Sequence, residues 1–317
     1  MKLHGKYGDI MICLVTGGSG FVGSNLVRRL INDENEVHMI VRKTSDLWRV
    51  DDIKNKITFH YTDLSKKDEI RDLIKKFKFD IVYHFAVYGG YNFQKDINKI
   101  INTNVLSTWN LFEECTKNGV QSFINTSSSS EYGEKFSPMR EDMILEPNNM
   151  YGASKCASTL LLSTYSKEIK FNLITIRLFS PYGYFDSPSR LIPTVIKGAL
   201  NNDKINLASK TSKRDFIFID DVIEAYIKAS TLKYKYGEIY NVGTGIESSV
   251  EQIVEKIIDI TKSKSILNWN NDFNRQYEPK SWVGDISKMK NDLIVPKISI
   301  DDGLLKTIEW FKMNNLY

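Results

Sequence analysis

Residues 11–32 read MICLVTGGSGFVGSNLVRRLIN, and this stretch decides the fold. It begins with an apolar run of strand length at 11–16, passes through a turn rich in glycine, and continues at 22–32 with apolar residues at helical spacing. A strand, a glycine turn and a helix in this order form the first part of a βαβ unit. The stretch therefore predicts an α/β fold.

The same rhythm continues on the carboxyl side of this unit. Further strand-like runs lie at 36–42, 57–61, 81–85, 122–126 and 173–178, with helical patterns at 67–77, 97–115 and 151–167. Strands that alternate with helices build right-handed crossovers and a parallel sheet covered on both faces. We therefore predict a doubly wound parallel sheet of the Rossmann type.

The rhythm loosens after residue 180, where Pro188 and Pro193 are followed by a polar run at 201–214. Strand-like runs at 215–219 and 238–242, around a helical pattern at 222–231, predict that the chain returns to the large sheet. We expect a large domain of 1–179 plus about 215–245. A smaller, interleaved C-terminal domain is expected to hold about 180–214 and 246–317.

Composition excludes several classes of protein. The 317 residues are 42% hydrophobic, and their formal net charge is only +4. This balance does not indicate a nucleic-acid partner, and no apolar run is long enough to span a membrane. Cys13, Cys115 and Cys156 are widely spaced, so neither a disulfide framework nor a metal site is indicated. We expect a cytoplasmic protein.

The glycine turn has the pattern of a dinucleotide-binding loop. Gly17 permits the tight turn, Gly20 lets a pyrophosphate approach the backbone, and Gly23 lets helix and strand pack closely. The helix that follows supplies N–H groups and a partial positive charge. The predicted cofactor contacts in this segment are Gly17, Ser19, Gly20, Phe21, Val22 and Gly23.

The end of the second strand bears on the choice of cofactor. An acidic residue there would bind the adenosine ribose of NAD, whereas this chain has Arg42 followed by Lys43. A guanidinium at that point suits the 2′-phosphate of NADP. The alternative is a solvated basic turn in which Asp46 binds the ribose of NAD. NADP(H) is therefore the favoured cofactor, and NAD(H) remains the alternative.

Other cofactor contacts are predicted from their place at the carboxyl ends of strands, where open α/β sheets bind ligands. These residues are Asp63, Leu64, Phe85, Ala86, Val87 and Thr126.

Tyr151 and Lys155 stand four residues apart at the start of a predicted helix and therefore share one face of it. A nearby ammonium favours the phenolate form of a tyrosine, so the pair can act as an acid-base unit. Ser128, at the end of the preceding strand, can bind a carbinol or ketone oxygen. The alternative is an exposed aromatic residue and a lysine on an amphipathic helix, because this spacing is common by chance.

These segments together resemble the extended short-chain dehydrogenase/reductase family. The motifs that carry the resemblance are residues 16–23, 84–86, 127–128 with 132–133, 151–155, Arg177 with 181–183, 214–216 with 220–222, and 241–245. The family contains nucleotide-sugar epimerases, 4,6-dehydratases and 4-ketoreductases, and the resemblance covers about residues 11–310.

The resemblance implies that Ser128, Tyr151 and Lys155 are the catalytic residues. It also implies contacts to the diphosphate of a nucleotide-diphosphate sugar from Ser180, Arg214 and Arg275, although the family usually has Asn in place of Ser180. Further substrate contacts are predicted at Tyr88, Ser129 and Arg190. In relatives, two helices matching 97–115 and 150–167 form a four-helix seam, which implies a homodimer.

One departure from the family narrows the expected reaction. The 4,6-dehydratases have Asp-Glu where this chain has Ser129 and Ser130, so dehydration is not expected. Residues 127–133 and 88–91 look similar to the branch that includes synthases of CDP-linked abequose and paratose, which are 4-ketoreductases.

We expect an NADP(H)-dependent 4-ketoreductase of a nucleotide sugar. The alternatives are a 4-epimerase that retains NAD, a non-catalytic dinucleotide sensor and a reductase of small carbonyl compounds.

Overall fold

One seven-stranded sheet organises the chain. The computed structural model describes residues 10–91, 93–269 and 280–316. The strands of the large sheet are β1 (Ile12–Thr16), β2 (Glu36–Val41), β3 (Ile57–Tyr61), β4 (Ile81–His84), β5 (Ser122–Ser128), β6 (Leu173–Leu178) and β10 (Tyr236–Val242). Their order is β3-β2-β1-β4-β5-β6-β10, and all six neighbouring pairs are parallel. The order reverses between β1 and β4, as in the doubly wound fold that the sequence predicts.

Helices cover this sheet and continue into the second half of the chain. They are α1 (Phe21–Asn32), α2 (Lys67–Phe77), α3 (Ile97–Ile101), α4 (Thr108–Lys117), α5 (Met150–Ile169), α6 (Leu191–Asn201), α7 (Ile219–Thr231), α8 (Val250–Thr261), α9 (Ser287–Asp292) and α10 (Ile300–Met313). Short 3₁₀ turns lie at Trp48–Lys56 and Ser129–Glu131.

Both faces of the sheet are buried by helices. Alternate residues of a strand point to opposite faces, so each strand contributes side chains to two cores. Cys13 and Val15 of β1 belong to a core shared with α1 and α7, whereas Leu14 between them belongs to a core shared with α2, α4 and α5. The near-continuous apolar runs of the sequence are thus explained by a sheet enclosed on two sides.

Smaller sheets hold the remaining strands. A three-stranded sheet has the order β11 (Glu247–Ser249), β9 (Lys213–Phe218), β7 (Ser180–Tyr182), and β8 (Ile205–Leu207) pairs with β12 (Leu267–Trp269). The prediction that residues 215–219 rejoin the large sheet is therefore wrong. β9 pairs with β7 and β11 instead, while β10 alone returns to the large sheet beside β6.

The predicted helix at 97–115 is helical throughout but is not α-helical along its whole length. A π-helical segment, Asn102–Ser107, separates α3 from α4. Such segments widen the helix and often occur at functional sites. This one buries Asn104 against the loop that follows β4.

Among the described residues, no helix combines the length and apolar character needed to cross a membrane. Cys13, Cys115 and Cys156 are free thiols.

Candidate active site

The turn between β1 and α1 leaves no room for side chains at two of its glycines. Gly17 has a φ of +68°, and a Cβ there would lie 2.6 Å from the backbone nitrogen of Ala86. A Cβ on Gly23 would lie 2.4 Å from the Gly17 carbonyl oxygen. The start of α1 has neither a capping side chain nor an acidic residue in its first turn, so its N–H groups can receive an anion. These features fit the pyrophosphate of a dinucleotide.

The other predicted cofactor residues lie along the same edge of the sheet. Arg42 directly follows β2 and is exposed, and its charge contributes to the lowered pKa of the Asp63 carboxyl beyond β3. After β4, the Phe85 N–H donates to the Thr16 carbonyl oxygen at 2.9 Å, which holds this loop against the glycine turn. Thr126 of β5 accepts a hydrogen bond from the Tyr226 hydroxyl at 2.9 Å.

Tyr151 lies in the first turn of α5, directly beside the end of β5. The side chain of Asn149 caps this helix by accepting from the Gly152 N–H at 2.8 Å. A Cβ on Gly152 would lie 2.4 Å from the Ser130 carbonyl oxygen, so the absence of a side chain lets the helix approach closely. This approach places the Tyr151 phenol beside the Ser128 hydroxyl.

Burial dominates the titration of Tyr151. It raises the pKa of the phenol, while the Ser128 hydroxyl and the Arg190 guanidinium lower it. The sequence predicts that the charge of Lys155 favours the phenolate of Tyr151. In the structure, the charge of Arg190 lowers the Tyr151 pKa in this way. Lys155 itself is 2% exposed, and burial lowers the pKa of its ammonium to about 8. A lysine with this pKa remains mostly protonated at neutral pH.

His84 has a structural environment. It is fully buried, and its ring nitrogens lie 2.7 Å from the Thr16 hydroxyl and 2.9 Å from the Thr108 hydroxyl. Burial and the nearby Lys155 lower its pKa to about 3. The ring is therefore neutral at physiological pH and links β1, β4 and α4.

Asn104 is a site residue that the sequence pattern does not reveal. Its side chain accepts from the Tyr88 N–H at 2.9 Å and donates to the Tyr88 carbonyl at 2.7 Å and to the Ser154 hydroxyl at 2.9 Å. It thereby fastens the loop after β4 to the catalytic helix. The only hint in the sequence is a polar residue on the buried face of a predicted helix.

Tyr91 and Arg190, two of the aromatic and basic residues near the end of β4, lie close to Tyr151. The Tyr151 ring comes within 4.0 Å of a Cβ position at Gly90, next to Tyr91. The Arg190 guanidinium lies 5.4 Å from the centre of the Tyr91 ring. An exposed cation and aromatic rings beside a proton donor form a surface suited to a polar sugar ligand.

A second group of predicted substrate residues lies around Trp282. The indole N–H donates to the Ser129 hydroxyl at 2.9 Å, and the Arg214 guanidinium lies 5.9 Å from the indole ring. Ser129 is buried in this contact. Ser180 begins β7, and the predicted contact at Arg275 falls outside the described residues.

The arrangement can transfer a proton at the carboxyl edge of a dinucleotide-binding sheet. Ser128 can orient a carbonyl or carbinol oxygen, Tyr151 can exchange a proton with it, and Lys155 can stabilise the phenolate. A bound nicotinamide supplies or accepts the hydride.

Comparisons with known proteins agree with this chemistry. The family model described as the NAD dependent epimerase/dehydratase family matches residues 13–243. The chain is 29% identical over 326 residues to dTDP-D-glucose 4,6-dehydratase of Mus musculus, covering 95% of this chain and 88% of that protein. It is 26% identical over 309 residues to dTDP-4-dehydro-6-deoxyglucose reductase of Escherichia coli, covering 93% and 96%.

A solved structure is also similar along nearly the whole chain. The UDP-glucuronic acid 4-epimerase from Bacillus cereus, in complex with UDP-glucuronic acid and NAD, matches with a TM-score of 0.85 and 29% identity. The match covers 97% of this chain and 100% of that structure. The chain therefore belongs to the NAD dependent epimerase/dehydratase family and is an enzyme of the extended short-chain dehydrogenase/reductase type.

Proposed function

We propose that this enzyme is an NADP(H)-dependent 4-ketoreductase of a nucleotide-activated sugar. The observation that carries the proposal is the position of the Tyr151 phenol beside the Ser128 hydroxyl. Lys155 is buried on the same face of α5, and the glycine turn lies at the same edge of the sheet. The sequence similarity to a 4-keto-sugar reductase along nearly the whole chain supports it.

In this proposal, three side chains of the protein bind the keto oxygen, donate the proton and stabilise the phenolate. The Ser128 hydroxyl binds the C4 keto oxygen and orients it toward Tyr151. As hydride reaches C4, the Tyr151 phenol donates its proton to the developing alkoxide, so that the carbonyl becomes a secondary alcohol. The Lys155 ammonium stabilises the phenolate that remains until solvent returns the proton.

Ser129 and Ser130 stand where the 4,6-dehydratases have Asp-Glu, which argues against dehydration of the sugar. Elimination of water needs an acid and a base next to the substrate. Ser129 is buried under Trp282, and the Ser130 N–H donates to the Ser128 hydroxyl. The nearby carboxylate of Glu131 is held in an ion pair with Arg177.

The choice of NADP(H) rests on the end of β2. Arg42 is exposed at the end of β2, where we place the 2′-phosphate, whereas the Asp46 carboxylate accepts a hydrogen bond from the Trp48 N–H at 3.1 Å. The second candidate is a 4-epimerase that retains NAD. The NAD in the similar B. cereus epimerase favours it.

One experiment separates the two candidates. Purified protein is denatured and the released cofactor is identified by mass spectrometry, and NADPH and NADH are then titrated into the native protein. The reductase predicts an empty site with tighter NADPH binding. Replacing Arg42 with Ala should weaken NADPH binding about 10- to 100-fold with little effect on NADH, while Arg71→Ala, on exposed α2, serves as the control. Stoichiometric NAD after denaturation would contradict the reductase and support the epimerase.

We also propose a homodimer through α3, α4 and α5. These helices expose an apolar face whose members are Ile97, Ile101, Leu106, Leu160 and Leu161. A shallow hollow lies in this face between Trp109 and Leu161. A self-complementary apolar face on two helical elements suits isologous pairing into a four-helix seam.

A further inference from the structure

Glu131 is a fully buried carboxylate beneath the proposed catalytic pair, three residues after Ser128. The Arg177 Nε donates to one of its oxygens at 2.7 Å. The Thr159 hydroxyl donates to the other oxygen at 2.6 Å, and the Ser127 hydroxyl also donates there. Every contact of this carboxylate is thus to a buried side chain, and none of these residues has a role in the proposed proton transfer.

Thr159 connects Glu131 to the catalytic helix. Tyr151, Lys155 and Thr159 stand at successive intervals of four residues and therefore lie along one face of α5. The bond from Thr159 to Glu131 fastens this face to the end of β5. The contact therefore links the helix face that carries Tyr151 to the strand end that carries Ser128.

Glu131 also acts on the charges of the site. It opposes the lowering of the Lys155 pKa by burial, and it raises the pKa of Tyr151. Other titratable groups act on these residues. His84 of β4 lies near Lys155, Tyr226 of α7 and Arg190 before α6 lie near Tyr151, and Arg177 of β6 and Cys156 of α5 lie near Glu131. His84 is neutral at physiological pH, so it does not replace the negative charge of Glu131.

We propose that Glu131 is a positioning residue for the reaction: it holds the catalytic helix through Thr159 and supplies the buried negative charge that balances the Lys155 ammonium. The inference rests on the proposed function, because it assigns Glu131 a role through Lys155 and Tyr151. Arg177 shares the charge of Glu131 and keeps the carboxylate in place.

The first test is the pH profile of kcat/KM for Glu131→Gln in the reductive direction. Loss of the negative charge lowers the pKa values of both Lys155 and Tyr151, and reduction needs both groups protonated. The alkaline limb should therefore move to lower pH by about one unit. Glu114→Gln removes another buried carboxylate, on α4, and should leave the profile unchanged.

A second readout does not depend on turnover. The dissociation constant of NADPH, measured by fluorescence, should match wild type at pH 6 and exceed it several-fold at pH 8.5 in Glu131→Gln, because the Lys155 ammonium is lost earlier. Glu131→Gln leaves Arg177 buried without its anion and can prevent folding. The double variant Glu131→Met, Arg177→Met removes both charges, so its shifts should have the same direction as those of Glu131→Gln and be smaller.

Thr159→Val tests the positioning role while both charges remain. We expect kcat to fall about tenfold at all pH values, with KM and the pH limbs unchanged. Unchanged pH limbs and NADPH binding in the Glu131 variants would overturn the electrostatic role, and an unchanged kcat in Thr159→Val would overturn the positioning role. Absence of turnover in the wild-type protein would instead contradict the proposed function.

Discussion

Gly152 lies directly against the carbonyl oxygen of Ser130, and a Cβ on Gly152 would come within 2.4 Å of that oxygen. This approach joins the first turn of α5 to the turn after β5. The catalytic helix can bring Tyr151 to Ser128 only because residue 152 has no side chain.

Replacing Gly152 with Ala should therefore displace the start of α5. We expect a loss of about 1–3 kcal/mol in the free energy of unfolding, despite the better helix propensity of alanine, and a fall in kcat of at least tenfold. Urea unfolding and initial rates measure the two effects. Gly119→Ala is a control with a strained φ but nothing within 4 Å of the new Cβ; it should cost stability without changing kcat.

Tyr151→Phe tests whether Tyr151 donates the proton. The substitution removes one hydroxyl, which lies beside Ser128, and leaves the ring in place. Turnover of a nucleotide 4-keto sugar should fall about 10²- to 10⁴-fold, while the NADPH dissociation constant stays within a few-fold of wild type. Tyr234→Phe, at an exposed position, is the control. Retained turnover would show that another group donates the proton.

The stability of the protein should depend on the titration of Asp186. Burial raises the pKa of this carboxyl from its ordinary value of 3.8 to about 7, although the guanidiniums of Arg190 and Arg49 act in the opposite direction. The folded state therefore favours the neutral acid. This stabilisation is complete below pH about 4 and is lost as the pH rises through about 7.

Asp186→Asn keeps an amide oxygen for the Ser187 N–H but does not titrate. Relative to wild type, the unfolding free energy of this variant should increase by about 4 kcal/mol between pH 4 and pH 8. Urea unfolding at four pH values measures this difference. Asp68→Asn, at an exposed position on α2, should run parallel to wild type. If the unfolding free energy of Asp186→Asn also changes with pH as that of wild type does, the Asp186 carboxyl is ionised in the folded protein.

A charge in the apolar face of α5 should break the proposed homodimer. Leu160 is 54% exposed in the single chain and would appear twice in an isologous interface. Leu160→Glu should raise the dimer dissociation constant at least 100-fold. Analytical ultracentrifugation measures it, with Ile266→Glu, at an exposed apolar position outside this face, as the control. A wild-type monomer at all concentrations would contradict the dimer.

The main errors of the sequence-based interpretation share one cause. The pattern at 215–219 identifies a strand correctly, yet β9 pairs with β7 and β11 and not with the large sheet. Alternation of apolar residues indicates that a segment is extended, but the partner is chosen by backbone groups remote in sequence. The helical pattern at 97–115 likewise gives no sign of the π-helical segment around Asn104.

The sequence by itself determined the parallel α/β sheet and the dinucleotide loop, because both follow from local periodicity and from glycines within a few residues of one another. It also placed Ser128, Tyr151 and Lys155 at a strand end and on one helix face. Only the tertiary structure decided which buried groups surround them. Glu131 meets Arg177 across 46 residues, and Asn104 meets Ser154 across 50. Such contacts arise when distant elements pack, so no local pattern records them.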